Sequence, residues 1–469
     1  MATASTRSSG TDGPDPEETS GTGPARRSVT EPDASAAPAS LTDAPVEATS
    51  RPTVDTERRA FFFQFGRQAV SAVGQVAGMA DAASRTASAM AGELLGLDEP
   101  GPGTQRGFTR AGPTTDPIVS VAAPAADDVF HSAYRVAGDE LVLLDQRRIP
   151  EAVEEVVARR GSDVAYYLRL GVCRGGPLLA QVAAYGLALT AAERAAETAE
   201  IRANELRRTR QALVEARPSA RLTSWALDRL DQAAGRLPVS ASGAEVAAAL
   251  RAEADAIAGD LTAWQASIAV TLAAALPTPE ERPLGVLLHG SQGALAGGQL
   301  GAGVAALAAV AAAGQDLRVY VTEGRPFMDG ARLAAWELRQ AGIEHRLVAD
   351  SAVAWLLARE PVDAVLIAAE WSAVNGDVSA LVGSRAVALL AHAADVPVIV
   401  HGPSAVTDPD TPDGDAIPEE LRPARELSAY LRDVPVRVSD ALVPAADIIP
   451  AMAVATVVTE HGATRAGAA

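Results

Sequence analysis

Glu370 follows an apolar run, Ala364-Val365-Leu366-Ile367-Ala368-Ala369. A carboxyl in such surroundings is held above its usual pKa and can shuttle protons. Five residues on stands Asn375-Gly376-Asp377, and Asn375 is one of only two Asn residues in the chain. That stretch reads either as a plain turn or as a pair of polar binding residues. His289-Gly290-Ser291-Gln292-Gly293 closes another apolar run. A Gly-rich turn that opens a helix can offer free N–H groups, here around Ser291, Gln292 and Gly293, to an anion. The same composition also simply makes tight strand-to-helix turns. Arg325, in Thr322-Glu323-Gly324-Arg325-Pro326, can clamp a carboxylate or phosphate with two hydrogen bonds, or pair with a neighbouring acid. His289 and His401 both end apolar runs, but nothing in the sequence fixes their separation. There is no metal-spaced set of His and Asp, and no G-x-S-x-G nucleophile elbow, so no metal or cofactor is expected.

The elements that would position these residues are legible from residue 283 onward. Strands are expected over 285–289, 317–322, 345–349, 363–368, 396–401 and 434–438. Helices are expected between them, over about 293–313, 328–341, 351–359 and 379–393. Such alternation specifies a parallel, doubly wound α/β sheet. Ligands of these sheets bind beyond the carboxyl ends of the strands, and every residue named above follows a strand. Upstream, 129–280 reads as a helical domain. It opens with a short strand and turn, LVLLDQRRIP, over 141–150. Helices are expected over 151–160, from 163, over 178–189, over 190–216, around 222–235 and over 243–275. Residues 1–57 are polar and Pro-rich and are expected to be a disordered tail. Over 58–100, Phe61, Phe62, Phe63 and Phe65 precede a stripe of Val70, Val73, Val76 and Met79. This amphipathic helix either docks on its own chain or binds a protein partner, with a membrane the weaker target. A linker over 101–128 joins it to the helical domain.

Composition removes whole classes of function. All 40 basic residues are Arg, because the chain has no Lys. A Schiff-base lysine and a P-loop lysine are therefore excluded. The formal net charge of −19 opposes nucleic-acid binding. The densest basic cluster, Arg207, Arg208 and Arg210, reads as a solvated helix face. Cys173 is the only cysteine, so neither an intrachain disulfide nor a cysteine zinc site is expected. The polar start lacks the apolar core of a signal peptide. The apolar run over 293–314 has the Gly/Ala content of a buried helix rather than a membrane span. A cytoplasmic protein is expected.

Five ordered segments resemble the methylthioribose-1-phosphate isomerase family, which shares its fold with ribose-1,5-bisphosphate isomerase and with the alpha, beta and delta subunits of initiation factor 2B. They are LVLLDQRRIP, VCRGGPLLAQVAAYGLAL, RPSARLTSWALDRL, EGRPFMDGARLAAWEL and VNGDVSALVGS, and the resemblance covers about 140–462. The resemblance implies a helical domain followed by a Rossmann-like α/β domain, a homodimer, and a sugar-phosphate ligand. It also implies metal-free aldose–ketose isomerisation by a Cys and an Asp. It points to Arg174 and Gly175 of the RGGP turn, with Arg325, Asn375 and Asp377, as retained binding residues. Four positions depart from the family pattern. The catalytic Cys is Gly290, the Asp is Glu370, the Asn-Lys pair is Ala380-Leu381, and a Gln is Asp329. Losing one positioned acid or base lowers a rate by about 10²–10⁴, and several changes share one site. Three expectations follow, in descending order. The first is a non-catalytic sugar-phosphate-binding or scaffold protein. The second is a divergent isomerase using Glu370, with His289 or a water in place of the thiol. The third is a regulatory subunit of the translation-factor kind.

Overall fold

The computed structural model describes residues 132–430 and 440–465. The tail over 1–57, the Phe-rich segment over 58–100, the linker over 101–128 and the strand expected over 434–438 lie outside the described residues. Within them the chain begins with an antiparallel sheet of three strands, β1 (Tyr134–Ala137), β2 (Glu140–Leu144) and β3 (Glu155–Ala158). The helix expected over 151–160 does not form. Residues 155–158 pair with 141–144 instead. Val156 and Val157 are β-branched, which favours a pleated surface, and β2 offers them an open edge.

Five helices follow: α1 (Gly161–Leu170), α2 (Gly176–Glu193), α3 (Ala199–Ala216), α4 (Arg221–Gly235) and α5 (Gly243–Ala275). The single helix expected over 190–216 is interrupted. Thr198 caps α3 by accepting from the Ile201 N–H at 3.3 Å, and so satisfies a donor that a continuous helix would not have exposed. Ser242 and Glu245 form a reciprocal capping box at the start of α5. Helix α2 is buried on nearly every face, as its Gly, Ala and Leu content requires. Gly186 brings α1 and α2 into close contact, since a Cβ there would lie 2.9 Å from Val164 Cγ1.

The remaining elements build the large sheet. They are β4 (Leu284–His289), α6 (Ala294–Gly297), α7 (Ala302–Ala312), β5 (Leu317–Thr322), α8 (Ala335–Gln340), β6 (His345–Val348), α9 (Val353–Arg359), β7 (Ala364–Ala368), β8 (Trp371–Ser372), β9 (Val378–Leu381), α10 (Ser384–Ala393), β10 (Val398–His401), β11 (Ala446–Ile449), β12 (Thr456–Thr459) and β13 (Gly462–Arg465). The seven-stranded order is β13-β12-β10-β7-β4-β5-β6, while β11, β9 and β8 form a separate antiparallel sheet. Six strands run parallel and β13 is antiparallel to β12. Alternate residues pack on opposite faces. Leu287, Tyr320, Val365, Ile367 and Val400 join the core shared with the helical layer. Val286, Leu288, Val319, Val321, Leu366 and Ile399 pack with Ile268 and Leu272 of α5 and Ala306 and Leu307 of α7. Each buried Leu, Ile or Val side chain contributes about 1.5–3 kcal/mol.

Two expected helices are shorter than their sequence pattern. The run over 293–313 divides into α6 and α7, because Gly298 turns with φ 102° and Gly301 lies against the backbone of Gly293, 2.0 Å from where a Cβ would stand. The run over 379–393 yields β9 first, and the helix starts only after Gly383, whose φ is 97°. A π-helical turn, Gly330–Ala334, precedes α8. No helix among the described residues is long and apolar enough to cross a membrane. The chain starts the sheet at β4, builds β5 and β6 to one side, and returns to β7 on the other. The carboxyl ends of β4 and β7 are thus the switch point at which such sheets hold ligands.

Candidate functional site

A small cavity, about 50 Å³ in volume, lies at that switch point. Its walls include Arg174 and Gly175 from the turn before α2, Arg217 and Ser219 from the turn after α3, and His289, Gly290 and Ser291 from the end of β4. Asp329, Glu370 and Leu381 complete the walls named here.

Gly175 lets Arg174 stand there. Its φ is 97°, and a Cβ would lie 2.5 Å from the Cα of Ala296, so a side chain is excluded by both strain and space. Arg174 is buried over the Phe327 ring, 4.0 Å from its centroid. Its Nε donates to Asp329 Oδ2 at 2.6 Å. Arg332 Nη2 approaches the other Asp329 oxygen at 3.5 Å, while its remaining donors go to the carbonyls of Gln146, Ile149 and Phe327.

Arg217 terminates α3 just before Pro218. Its Nε donates to Glu420 Oε1 at 2.9 Å, and Glu420 is held further by Ser219 Oγ at 2.7 Å and Arg422 Nη1 at 3.3 Å. Arg217 is 8% exposed, and its Nη1 is buried without a hydrogen-bond partner. Burial draws the guanidinium below its ordinary pKa, against the opposing charge of Glu420. A buried donor left unmade costs free energy, so an acceptor at this atom would be favoured.

Glu370 follows β7. Its Oε1 accepts from the Gly176 N–H at 3.1 Å. Burial raises its carboxyl above the usual range, with Arg217 and the Gly176 bond acting in the other direction. It is therefore able to hold or release a proton nearer neutrality. His289 has no nitrogen left for such a role. Its Nδ1 pairs with the Thr322 hydroxyl at 2.8 Å and its Nε2 with the Val382 carbonyl at 3.1 Å. Burial lowers its pKa, so the neutral ring donates from Nε2 to the carbonyl and accepts at Nδ1. Gly290 has φ 78°, and a Cβ on it would meet Leu381 Cδ2 at 3.1 Å. Leu381 thus covers the position from which a side chain at 290 would reach the cavity.

The Gly-rich turn already holds a carboxyl group, and that carboxyl belongs to the chain. Glu337 accepts from the Leu295 N–H at 2.8 Å and from Ser291 Oγ at 3.2 Å. A Cβ on Gly293 would fall 2.3 Å from Glu337 Oε1. Burial pushes the Glu337 carboxyl up to about 7 against the pull of these donors. Gln292 turns into the sheet rather than the cavity. Its Nε2 donates to the carbonyls of His289 and Leu366 at 3.1 and 2.7 Å, and its Oε1 accepts from His401 Nε2 at 2.7 Å. Burial pushes His401 down to about 4. The two histidines are therefore linked only through Gln292.

Of the residues singled out in the sequence, Arg174, Gly175, Ser291 and Glu370 meet at the cavity, and Gln292, Gly293, Arg325, Asn375 and Asp377 are not on its wall. Arg325 Nη2 donates to the Leu427 carbonyl at 2.6 Å, and its backbone N–H donates to Asp350 Oδ2 at 2.6 Å. Asn375 and Asp377 bond each other at 2.8 and 2.9 Å. Asp377 also accepts from the N–H groups of Ala451 and Gly414, at 2.9 and 3.1 Å, so it ties three loops together. Cys173 is buried, and burial pushes its thiol up to about 12, which leaves it inert. Sequence reasoning passed over Arg217 and Glu337. Both stand in the segments that carry the resemblance, RPSARL and AAWEL, but nothing local distinguished them from surface charges.

The profile of the Initiation factor 2 subunit family matches residues 172–466. Methylthioribose-1-phosphate isomerase of Chloroflexus aurantiacus is 36% identical over 331 residues, covering 70% of this chain and 93% of the relative. The enzyme of that name from Alkalilimnicola ehrlichii is 38% identical, covering 69% and 92%. The crystal structure of 5-methylthioribose 1-phosphate isomerase from Pyrococcus horikoshii OT3 superposes with TM-score 0.63 at 25% identity, over 72% of this chain and 93% of that one. Translation initiation factor eIF-2B, subunit delta, from A. fulgidus gives 0.59 at 26%, over 72% and 96%.

Proposed function

The chain belongs to the Initiation factor 2 subunit family, and from that membership we propose that it binds a small sugar phosphate without isomerising it. The observation that carries this reading is that residue 290, at the cavity wall, is a glycine with no side chain to offer, at φ 78° and close under Leu381. Moving a proton between adjacent sugar carbons needs groups to take it from one atom and supply it at another. The resemblance assigns that pair to residues 290 and 370. Here residue 290 has no side chain, and both nitrogens of His289 are engaged. Glu370 remains, and one missing partner lowers a rate by about 10²–10⁴. Anion recognition has more support. Arg217 lines the cavity and keeps a buried Nη1 without an acceptor, and relatives 36% and 38% identical over 70% and 69% of this chain are named for a phosphorylated ribose.

One experiment tests the reading. Purified protein is assayed for turnover of methylthioribose 1-phosphate and ribose 1,5-bisphosphate, and binding of the same compounds is measured by calorimetry. Binding without turnover is expected. The raised carboxyl of Glu370 favours one alternative, a divergent aldose–ketose isomerase with that residue as acid and base. Turnover abolished by Glu370→Gln would establish that alternative and end the non-catalytic reading. We further propose that the chain is a homodimer and that its Phe-rich segment over 58–100 recruits a protein partner. Light scattering checks the first. For the second, a chain lacking residues 1–100 that keeps every interaction of the full chain counts against it.

A further inference from the structure

We infer that Asp329 sets how much negative charge a ligand of this pocket carries, occupying Arg174 from within so that the site accepts one phosphate group and rejects two. This rests on the proposed sugar-phosphate binding and specifies its selectivity. Asp329 Oδ2 lies 2.6 Å from Arg174 Nε, and the two side chains are only 6% and 10% exposed. Both line the cavity. Water does not screen charges held in this way, and their interaction is far stronger than at a surface. A phosphate approaching Arg174 must therefore displace a carboxylate that is already bonded to it. Arg332, at 3.5 Å from the other oxygen, holds Asp329 in place.

Arg217 is different. Its carboxylate partner engages Nε, while Nη1 remains without an acceptor. Arg217 thus keeps one donor without an acceptor beside the cavity, which one phosphate could satisfy, whereas a second would meet Asp329, with Glu370 on a neighbouring wall. Asp329 thus places a single negative charge against a cation of the pocket.

Calorimetric titration of the full-length protein with ribose 5-phosphate and ribose 1,5-bisphosphate tests the inference. The wild type is expected to bind the monophosphate more tightly. Asp329→Asn and Asp329→Gln are expected to lower the Kd for the bisphosphate on the order of tenfold or more, the worth of one charge-assisted hydrogen bond, with a much smaller change for the monophosphate. Asp329→Glu keeps the carboxylate and is expected to keep the wild-type preference. Adding Arg174→Gln to Asp329→Asn should remove the gain. Thermal melts identify which of the two neutral variants is folded, and either suffices. A wild type that prefers the bisphosphate overturns the inference without any variant. So does an unchanged ratio of the two Kd values in the neutral variants, and in that case sugar-phosphate binding itself survives. Should the wild type bind neither compound while a neutral variant binds the bisphosphate, acceptance of one phosphate is overturned together with sugar-phosphate binding by the native chain. No binding by any form overturns both.

Discussion

Replacing Arg217 by Gln removes a guanidinium that lines the cavity and whose Nη1 is buried without a partner. Affinity for a sugar phosphate is expected to fall by about tenfold to a hundredfold in calorimetry. Glu420 would keep Ser219 and Arg422 as partners, so the fold should survive with a loss of about 3 kcal/mol in urea denaturation. Glu337 gives a prediction in pH. Its carboxyl is raised from the ordinary range to about 7 by burial, so between roughly pH 4.5 and 7 the folded chain holds a proton that the unfolded chain has lost. Stability from this group is therefore greatest at low pH, declines as pH rises through that window, and stays reduced above it. Glu337→Gln should abolish this dependence. The stability difference between wild type and variant, measured by denaturation at pH 5 and pH 8, is expected to move by a few kcal/mol against the wild type at the higher pH. A difference independent of pH would show that Glu337 ionises normally.

At the scale of elements, the cavity depends on how closely the turn before α2 approaches α6. Gly175→Ala would place a methyl group 2.5 Å from the Ala296 backbone at a φ of 97°. A loss on the order of 3 kcal/mol or more is expected in denaturation, together with loss of ligand binding. The tight turn was legible in the residues Gly175-Gly176-Pro177, but the element it meets was not. The same limit explains the other departures. Residues 155–158 carry a pattern compatible with a helix or a strand, and the open edge of β2 decides between them. The apolar run over 293–313 reads as one helix, and the close approach of Gly301 to Gly293 divides it. Thr198 and Ser242 mark helix starts by local chemistry alone, and only the second was taken as a boundary.

For the whole molecule, the described residues from Ser132 onward hold a seven-stranded sheet and bring Arg174, Arg217, Asp329 and Glu370 to one cavity. A chain beginning at Ser132 is therefore expected to fold, to melt within about 3 °C of the full chain, and to keep its response to sugar phosphates. Differential scanning calorimetry with and without ligand checks this. A truncated chain that folds but no longer responds would assign part of the site to residues 1–131.

The sequence by itself determined the doubly wound α/β sheet, the helical layer before it, the exclusion of lysine chemistry, and the family. These follow from the period of apolar residues, from composition, and from ordered motifs, all of which act locally along the chain. It also singled out Glu370 and Arg174, which line one cavity. Tertiary structure alone decided that Asp329 occupies Arg174, that Leu381 covers Gly290, that Glu337 fills the Gly-rich turn, and that Arg217 faces the cavity. Each of these joins residues tens to more than a hundred positions apart. Their effect depends on which charges are buried together and which are left unpaired, and no local pattern encodes that.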